Sequence, residues 1–455
     1  MIAVDMLVSL PQIAVPDAAL GTPIVDRLRS VVGLFVLGGI AWALSTNRSA
    51  IQWRLIGWGV ALQILFALFI LKTAIGESIF DVAGGLVVGL LGFTLNGAEF
   101  VFGNLVYDTV PVGIIGQGGF AAIPNQAART GAAFAFFVLP TIIFFSALMT
   151  VLYHLGIMQV IVRGFAFVMQ RTMGTSGAET LSAAGNVFVG QTEAPLLIKP
   201  FIAKMTQSEL MAVMTGGFAT VAGGVLAAYV GMLVTYFPDI AGHMIAASVM
   251  SAPAALVVAK LMVPETEESE TSGSLNIVVE TPDVNVIDAA ARGASEGLHL
   301  ALNVGAMLLA FVALIYMCNG MLGWAGSLVG LTDLTLEKIL GLVLAPLAWL
   351  MGVPWADAST VASLMGVKTV LNEFIAYLQL AGTLSGDHSL QPRSIIIATY
   401  ALSGFANFGS IAVQIGGIGG IAPERRHDLS RLGLRAMVGG SLAAFMTATV
   451  AGMIL

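Results

Sequence analysis

Long apolar stretches separated by short polar joints make up most of the chain. Those at about 30–46, 53–72, 131–157, 208–236, 240–263, 298–325, 396–421 and 433–455 have the length and character of bilayer-spanning helices, each of which needs ~20 mostly apolar residues. The pattern therefore predicts eight spans. Segments 175–202 and 354–382 are also apolar but interrupted, and each reads as two half-length helices around a polar tip. Such re-entrant hairpins survive in a bilayer only where protein or a wet cavity surrounds them. Residues 158–174 mix apolar positions with Arg163 and Arg171, which predicts a helix lying along the membrane interface. Residues 264–290 form the long polar stretch of the chain, broken by Pro264, Gly273 and Pro282, and read as a linker.

The two sides of that linker resemble each other. "TGGFATVAGG" (215–224) answers "LSGFANFGSI" (402–411), and a glutamate-bearing tip precedes each: Glu193 before Thr220, and Glu373 before Asn407. With five spans ahead of the linker, the second copy starts on the opposite side of the membrane. An inverted repeat with broken helices is the architecture of many secondary transporters. The expected fold class is an all-α polytopic membrane protein with eight transmembrane helices, two re-entrant helical hairpins in an inverted repeat, and interfacial helices.

Composition agrees. The 455 residues are 57% hydrophobic and only 10% charged, with a mean hydropathy of +0.93, far from the ~25% charged residues of soluble domains. Net charge is −7, and Glu265, Glu267, Glu268 and Glu270 in one loop supply four of the acidic groups; no nucleic-acid partner is expected. The single cysteine, Cys318, lies in an apolar segment and excludes an internal disulfide. The first residues carry Asp5 and no basic region, unlike a signal peptide. Arg48, Arg54, Arg163, Arg171, Lys204, Arg425, Arg426, Arg431 and Arg435 all fall on the cytoplasmic side if the N-terminus is outside, as the positive-inside rule requires. Both termini are then expected in the periplasm of an inner (plasma) membrane protein.

The candidate chemistry sits in the breaks. The first tip, "GNVFVGQTEAPLLIKP" (185–200), holds Asn186, Gln191, Thr192 and Glu193; the second, "TVLNEFIAY", holds Asn372 and Glu373. The second Gly-Phe-Ala segment adds Asn407, Ser410 and Gln414. An ionisable group at the centre of a span costs roughly 2.5–3.5 kcal/mol on insertion scales. No lysine or arginine lies within either tip, and the nearest to the first is Lys199. The carboxylates thus call for a bound cation, protons, or the hydroxyls of a polar solute. A half-helix starting near Gln191 would aim free N–H groups into a cavity, while residues 186–189 would leave carbonyls unpaired. Those carbonyls, with Asn186, suit a hard monovalent cation such as sodium.

Catalysis fits less well. "GASEG" (293–297) matches the nucleophile-elbow pattern around Ser295, but a polar linker rather than a strand precedes it. The five histidines, His154, His243, His299, His388 and His427, are scattered, and no HExxH, CxxC or GxxxxGK[ST] motif occurs. No enzyme activity, no cofactor and no ATP drive are expected. Energy then comes from an ion gradient or none at all.

"GQTEAPLLIKP", "DAAARGASEGLHLALNV", "NEFIAY" and "SGFANFGSIAVQIGG", with "AEFVFGNLV" (98–106), together and in order resemble the concentrative nucleoside transporter family, in its bacterial eight-span form. The likeness runs from about residue 30 to the C-terminus. It implies a sodium-coupled importer of nucleosides working by alternating access, with a proton-coupled symporter as the alternative. In that family the first tip reads the nucleobase, which maps to Gln191, Thr192 and Glu193, with Phe405 packing on the base. The ribose hydroxyls map to Glu373, Asn407 and Ser410. The family's sodium site maps to Asn186, Val189, Thr220 and Val221, the valines through their carbonyls; Thr220 stands where serine is common and keeps the hydroxyl. The family is homotrimeric, with a scaffold and a moving transport domain. Transferred here, this gives scaffold spans and an extracellular segment at 1–157 and the first transport repeat at 158–263. A cytoplasmic linker at 264–297, scaffold span six at 298–331 and the second transport repeat at 332–455 follow.

Overall fold

A computed structural model describes residues 22–107, 109–116, 119–132, 134–272, 283–328, 330–331, 334–386 and 390–455. Asp5, His388 and residues 273–282 of the linker lie outside them. The chain begins with three long helices, α1 (Ile24–Ala43), α2 (Trp53–Lys72) and α3 (Ala74–Phe102). An antiparallel pair of strands follows, β1 (Thr109–Gly116) and β2 (Gly119–Arg129), with a register shift between Pro111 and Gly113. A π-helical turn at Phe134–Val138 then leads into α4 (Leu139–His154).

The first repeat contains α5 (Ile157–Met173), α6 (Gly177–Gly185), α7 (Gln207–Ala219), α8 (Gly223–Leu233) and α9 (Ile240–Met262). After the linker come α10 (Val286–Leu328), α11 (Leu336–Leu350), α12 (Trp355–Val370), α13 (Glu373–Leu384), α14 (Pro392–Leu402), α15 (Phe408–Ile421) and α16 (Arg426–Ile454). Seven helical stretches among the described residues are long and apolar enough to cross a membrane, or eight if α11 and α12, bent by 118°, count as one broken span.

Helix α5 packs one face against the protein. Met158, Val162, Ala166, Met169 and Met173 form a buried stripe at helical spacing, while Val160, Phe167 and Val168 are exposed. Both predicted hairpins and both predicted breaks are present. Hairpin one is α6, an irregular tip, a 3-10 turn at Ala194–Ile198 and a helical turn at Lys199–Ile202. Hairpin two is α12 and α13. The Gly-Phe-Ala segments end α7 and open the gap between α14 and α15.

The structure departs from the sequence pattern at four places. The half-helix expected near Gln191 does not form. Pro195 and Pro200 lack the N–H groups that an α-helical arm needs there, and Glu193 folds back so that its Oε2 accepts from Gly190 N at 2.9 Å. Helix α3, 29 residues long, occupies a segment not counted as a span; glycines at 76, 84, 85, 89, 92 and 97 lower its apparent apolarity without preventing a helix. Helix α10 starts at Val286, well before 298, because the polar residues 286–296 are helix-compatible and Asn285 caps them. The β-hairpin was not foreseen, since its Gly-Pro-Ala composition hides any alternation.

Burial sorts the helices into two shells. The most apolar windows of α9, α16 and the α7–α8 span are 89–94% buried, whereas those of α2, α3, α4 and α10 are only 17–28% buried. The inner shell is a protein core; the outer shell turns apolar side chains such as Phe93, Phe100, Leu309 and Trp324 outward, as lipid or subunit contact demands. Within the outer shell, α4 and α10 touch closely. A Cβ at Gly293 would sit 2.5 Å from Thr150 Oγ1, and one at Gly297 would sit 2.8 Å from the Ile143 Cα. The GASEG stretch is thus a small-xxx-small packing face and not an elbow.

Each repeat is tied at its base by a carboxylate on the first hairpin arm. Glu179, in the capping box of α6, meets Lys260 Nζ of α9 in an ion contact of 2.7 Å, and Lys260 also donates to Ser208 Oγ at the start of α7. Asp357, in the first turn of α12, accepts from Gln391 N and Ser394 Oγ at the start of α14. The described part of the acidic linker straps the first base. Glu265 accepts from Thr206 Oγ1 and Lys260, Ser269 donates to Glu209, and Thr271 O accepts from Gly177 N.

The two breaks abut. Gly404 has φ +109°, and a Cβ there would lie 2.8 Å from both the Phe218 and Ala219 carbonyl oxygens. Gly404→Ala is therefore expected to cost about 1–3 kcal/mol, read as a lowered melting temperature of the purified protein. Gly382→Ala, in open space on α13, should leave the melting temperature unchanged or slightly raised.

Candidate substrate and ion site

Four interruptions of helical backbone meet inside the inner shell: the tip of hairpin one, the α7–α8 break, the tip of hairpin two, and the α14–α15 break. At the second tip, Asn372 caps α13, its Oδ1 accepting from Ile375 N at 2.9 Å. Glu373 follows and is fully inside the protein. Its Oε1 accepts from Tyr229 Oη at 3.1 Å, and its Oε2 accepts from Asn407 Nδ2 at 2.8 Å. Asn407 in turn caps α15 through Oδ1 and Ser410 N at 2.9 Å. Glu373, Asn407 and Ser410 are therefore gathered, and Phe405 stands half-buried in the adjacent break. Such charge-assisted bonds to a carboxylate are stronger than neutral ones, so Glu373 is held in one orientation while its remaining lone pairs stay available.

Two members of this cluster were not singled out from sequence. Tyr229 on α8 has no exposed surface, and a buried tyrosine hydroxyl needs a partner; that requirement was the available signal. Lys368 on α12 is fully buried as well and donates to Ala401 O at 2.9 Å and Ser403 O at 3.2 Å. The absence of a cation from the tip sequence did not mean its absence from the site. Helix α12 brings one in from the arm.

The first tip spreads its side chains over two faces. Gln191 Oε1 accepts from Gln414 Nε2 at 3.0 Å, and the same nitrogen donates to Met214 O at the end of α7. Thr192 packs against α15, where a Cβ on Gly417 would come 2.7 Å from its Cγ2. Glu193 instead faces a cavity of about 160 Å³ between the tip, the start of α8, α4 and the start of α10. Tyr153, His154, Gln159 and Val189 also line it. At its edge Arg292 grips Asp283 through two bonds of 2.6 and 2.9 Å and meets Glu296 at 2.8 Å. Those bonds hold the Asp283 carboxyl below the usual carboxylate range. Glu193 is thus apart from Gln191 and Thr192 here, while Gln414 joins them.

The predicted ion ligands lie along one buried seam. Asn186 directly follows α6 and has no exposed surface; neither its Oδ1 nor its Nδ2 has a partner. Gly223 N donates to Phe188 O at 3.1 Å, which stitches the tip to the α7–α8 break. Val189, Thr220 and Val221 are all buried beside this stitch, and Thr220 Oγ1 donates to Gly216 O at 2.9 Å. An orphaned buried amide costs on the order of 1–3 kcal/mol, and oxygen donors on unwound backbone suit a hard monovalent cation.

Comparison with known proteins gives this arrangement a family. Residues 32–105, 135–236 and 243–452 match the profiles described as "Na+ dependent nucleoside transporter N-terminus", "Nucleoside recognition" (Gate) and "Na+ dependent nucleoside transporter C-terminus". An "Uncharacterized transporter" of Haemophilus influenzae is 46% identical over 429 residues, covering 94% of this chain and 97% of that protein. Rat "Sodium/nucleoside cotransporter 1" is 41% identical over 442 residues, covering 94% of this chain; the chain spans 64% of that longer protein. Among solved structures, CNTnw in an inward-facing substrate-bound state matches with a TM-score of 0.83 at 44% identity, over 94% of this chain and 97% of that one. A variant of it in an outward-facing state matches with a TM-score of 0.84 at 43% identity, over 95% and 98%. The fold, the paired breaks and these matches together make this chain a member of the concentrative nucleoside transporter family, a transporter and not an enzyme.

Proposed function

We propose that the protein is a sodium-coupled secondary active importer of nucleosides that works by alternating access. The observation that carries this reading is Asn186, fully buried with both amide atoms unpartnered on the seam with Thr220. A sodium ion held by Asn186 Oδ1, Thr220 Oγ1 and the carbonyls of Val189 and Val221 would satisfy that seam. It would also fix the first tip, and with it Gln191, Thr192 and Glu193, before the nucleoside arrives. The relatives that are named sodium/nucleoside cotransporters support the same ion.

A nucleoside is neutral, so the site has no need of a countercharge for it. The ribose hydroxyls would donate to Glu373, with Asn407 and Ser410 as neighbours, while Phe405 packs against the base and Gln191, Thr192 and Glu193 read its polar edge. The cavity reaches Glu193 but not Glu373, which suits a path from the base side of the site past α4 and α10. In this reading α4 and α10 belong to a scaffold. The repeats at 158–263 and 332–455 move as a transport domain, joined by the linker at 264–297. A homotrimer in the inner membrane with both termini periplasmic completes the proposal.

Reconstituted protein is expected to accumulate labelled uridine only under an inward sodium gradient. Accumulation driven equally well by a pH gradient in sodium-free buffer would establish the proton-coupled alternative instead. Glu373→Gln removes a charged acceptor, a loss of about 1.5–3 kcal/mol and hence roughly 10- to 100-fold in uridine affinity. Titration calorimetry on the purified variant reads it, and wild-type affinity would remove Glu373 from the ribose site. Asn186→Ala should raise the half-saturating sodium concentration about tenfold, one ion–dipole contact being of order 1.4 kcal/mol, while the ranking of nucleosides in a competition panel stays fixed. A changed ranking at unchanged sodium dependence would place Asn186 on the substrate.

A further inference from the structure

Two glutamines from different repeats meet at the end of the site away from Glu373. Asn407, Ser410 and Gln414 follow one another at i, i+3 and i+7 along the start of α15, so they share one face of that helix. All three are buried. Asn407 and Ser410 belong to the Glu373 end, and Gln414 stands two turns beyond Asn407, roughly 10 Å along the helix axis. Gly417, a turn farther, receives Thr192 of the first tip. Gln414 has no exposed surface. Its Nε2 donates twice, to Met214 O of α7 and to Gln191 Oε1, each at 3.0 Å, while its Oε1 has no partner. Gly217 makes room for the pair: a Cβ there would sit 2.7 Å from the Gln414 Nε2 and 2.8 Å from the Gln191 Cβ.

A side-chain amide in water turns over freely, which exchanges a donor for an acceptor. Here it is held. A backbone carbonyl only accepts, so Met214 O sets the Gln414 NH2 toward α7; turned over, Gln414 would press its oxygen against two acceptor oxygens. The other hydrogen of the same NH2 then sets the sense of Gln191. The Gln191 oxygen is taken, and what that side chain has left to offer is its Nε2, a donor only. A pyrimidine nucleoside with its ribose at Glu373 carries its C4 substituent farthest from the sugar, toward the Gln414 and Gly417 end. In uracil that substituent is a carbonyl oxygen, which accepts. In cytosine it is an amino group, which donates. The two rings are nearly the same size, so shape does not separate them and the polarity of Gln191 does. A donor facing a donor leaves both desolvated and unpaired.

We propose that Gln414 locks the Gln191 amide with its nitrogen toward the base, so that the site selects nucleosides with a carbonyl at C4, such as uridine, over those with an amino group there, such as cytidine. This rests on the reading of Gln191 as a base contact above and adds the chemical class of the base to it. Gln414 acts through Gln191 and is a positioning residue.

The test titrates uridine and cytidine separately into the full chain in lipid nanodiscs at saturating sodium. The wild type should bind uridine at least about tenfold more tightly than cytidine. Gln414→Leu removes the lock, so the Gln191 amide turns to suit either base and the ratio of the two affinities should fall toward one. A side chain that only packs would weaken both nucleosides alike and leave the ratio where it was. Gln191→Glu still accepts from Gln414 Nε2 but sets an oxygen where the free nitrogen was, so the ratio should invert in favour of cytidine. A wild-type ratio near one, or one favouring cytidine, overturns the proposal even if neither variant folds. So does a Gln414→Leu protein with a normal melting transition and the wild-type ratio. If Gln191→Glu inverts the ratio while Gln414→Leu does not move it, the lock falls and Gln191 stays on the base. If neither variant moves the ratio, Gln191 is not on the base and the reading beneath the proposal falls with it.

Discussion

Backbone that unwinds inside a bilayer exposes amides and carbonyls that neither water nor lipid can satisfy, and this chain unwinds at four places in one small volume. Each break is answered by side chains brought from another element. Asn372 and Asn407 cap the helices that restart, the Gln414 amide takes the Met214 carbonyl, and Thr220 turns back on Gly216. Lys368 closes the end of α14, and the Tyr377 hydroxyl donates to Thr399 O one turn earlier. The inner helices pack around these partners, which is why α9 and α16 are buried on almost every face while α4 and α10 are not. The breaks also position the chemistry. Glu373 is the first residue of a restarted helix, and Asn186 directly follows the last residue of an interrupted one.

Satisfaction is uneven between the repeats, and that unevenness bears on function. In the second repeat the carbonyls have an ammonium, the carboxylate has a phenol and an amide, and the caps are complete, while the Gln414 Oε1 has no partner. The first leaves Asn186 without partners and turns Glu193 toward a cavity. A fully bonded network holds one geometry, whereas an incomplete one changes when something binds. At the bases, Glu179 and Asp357 each tie their hairpin from its leading arm, and the linker adds a strap at the first, where Thr271 O accepts from Gly177 N.

Much of this was legible in the chain because membrane constraints leave few readings for a polar residue in an apolar run. Glu193, Glu373, Asn186 and Asn407 stood out for that reason, and the matching Gly-Phe-Ala segments located both breaks. What escaped has physical causes. Lys368 and Tyr229 sit at ordinary helical positions, and only the three-dimensional approach of α12 to α14 and of α8 to α13 turns them into site residues. Their charge and hydroxyl look like interface residues in one dimension. The first tip misled in another way. Its proline pair rules out a regular second arm, so Gln191 and Thr192 turn to α15 while Glu193 turns to α4, a divergence that three adjacent letters do not reveal.

Glycine decides how close these parts can come, and it does so at contacts rather than in turns. A side chain at Gly217 would collide with Gln414 and Gln191, and one at Gly440 with Phe218. One at Gly404 would collide with the carbonyls that end α7. The two motif glycines admit different neighbours: Gly404 the backbone that ends α7, and Gly217 the Gln191 backbone of the first tip and the Gln414 amide. Gly404 faces the Phe218–Ala219 peptide directly, so any displacement of the α7–α8 break meets the α14–α15 break at a single backbone contact.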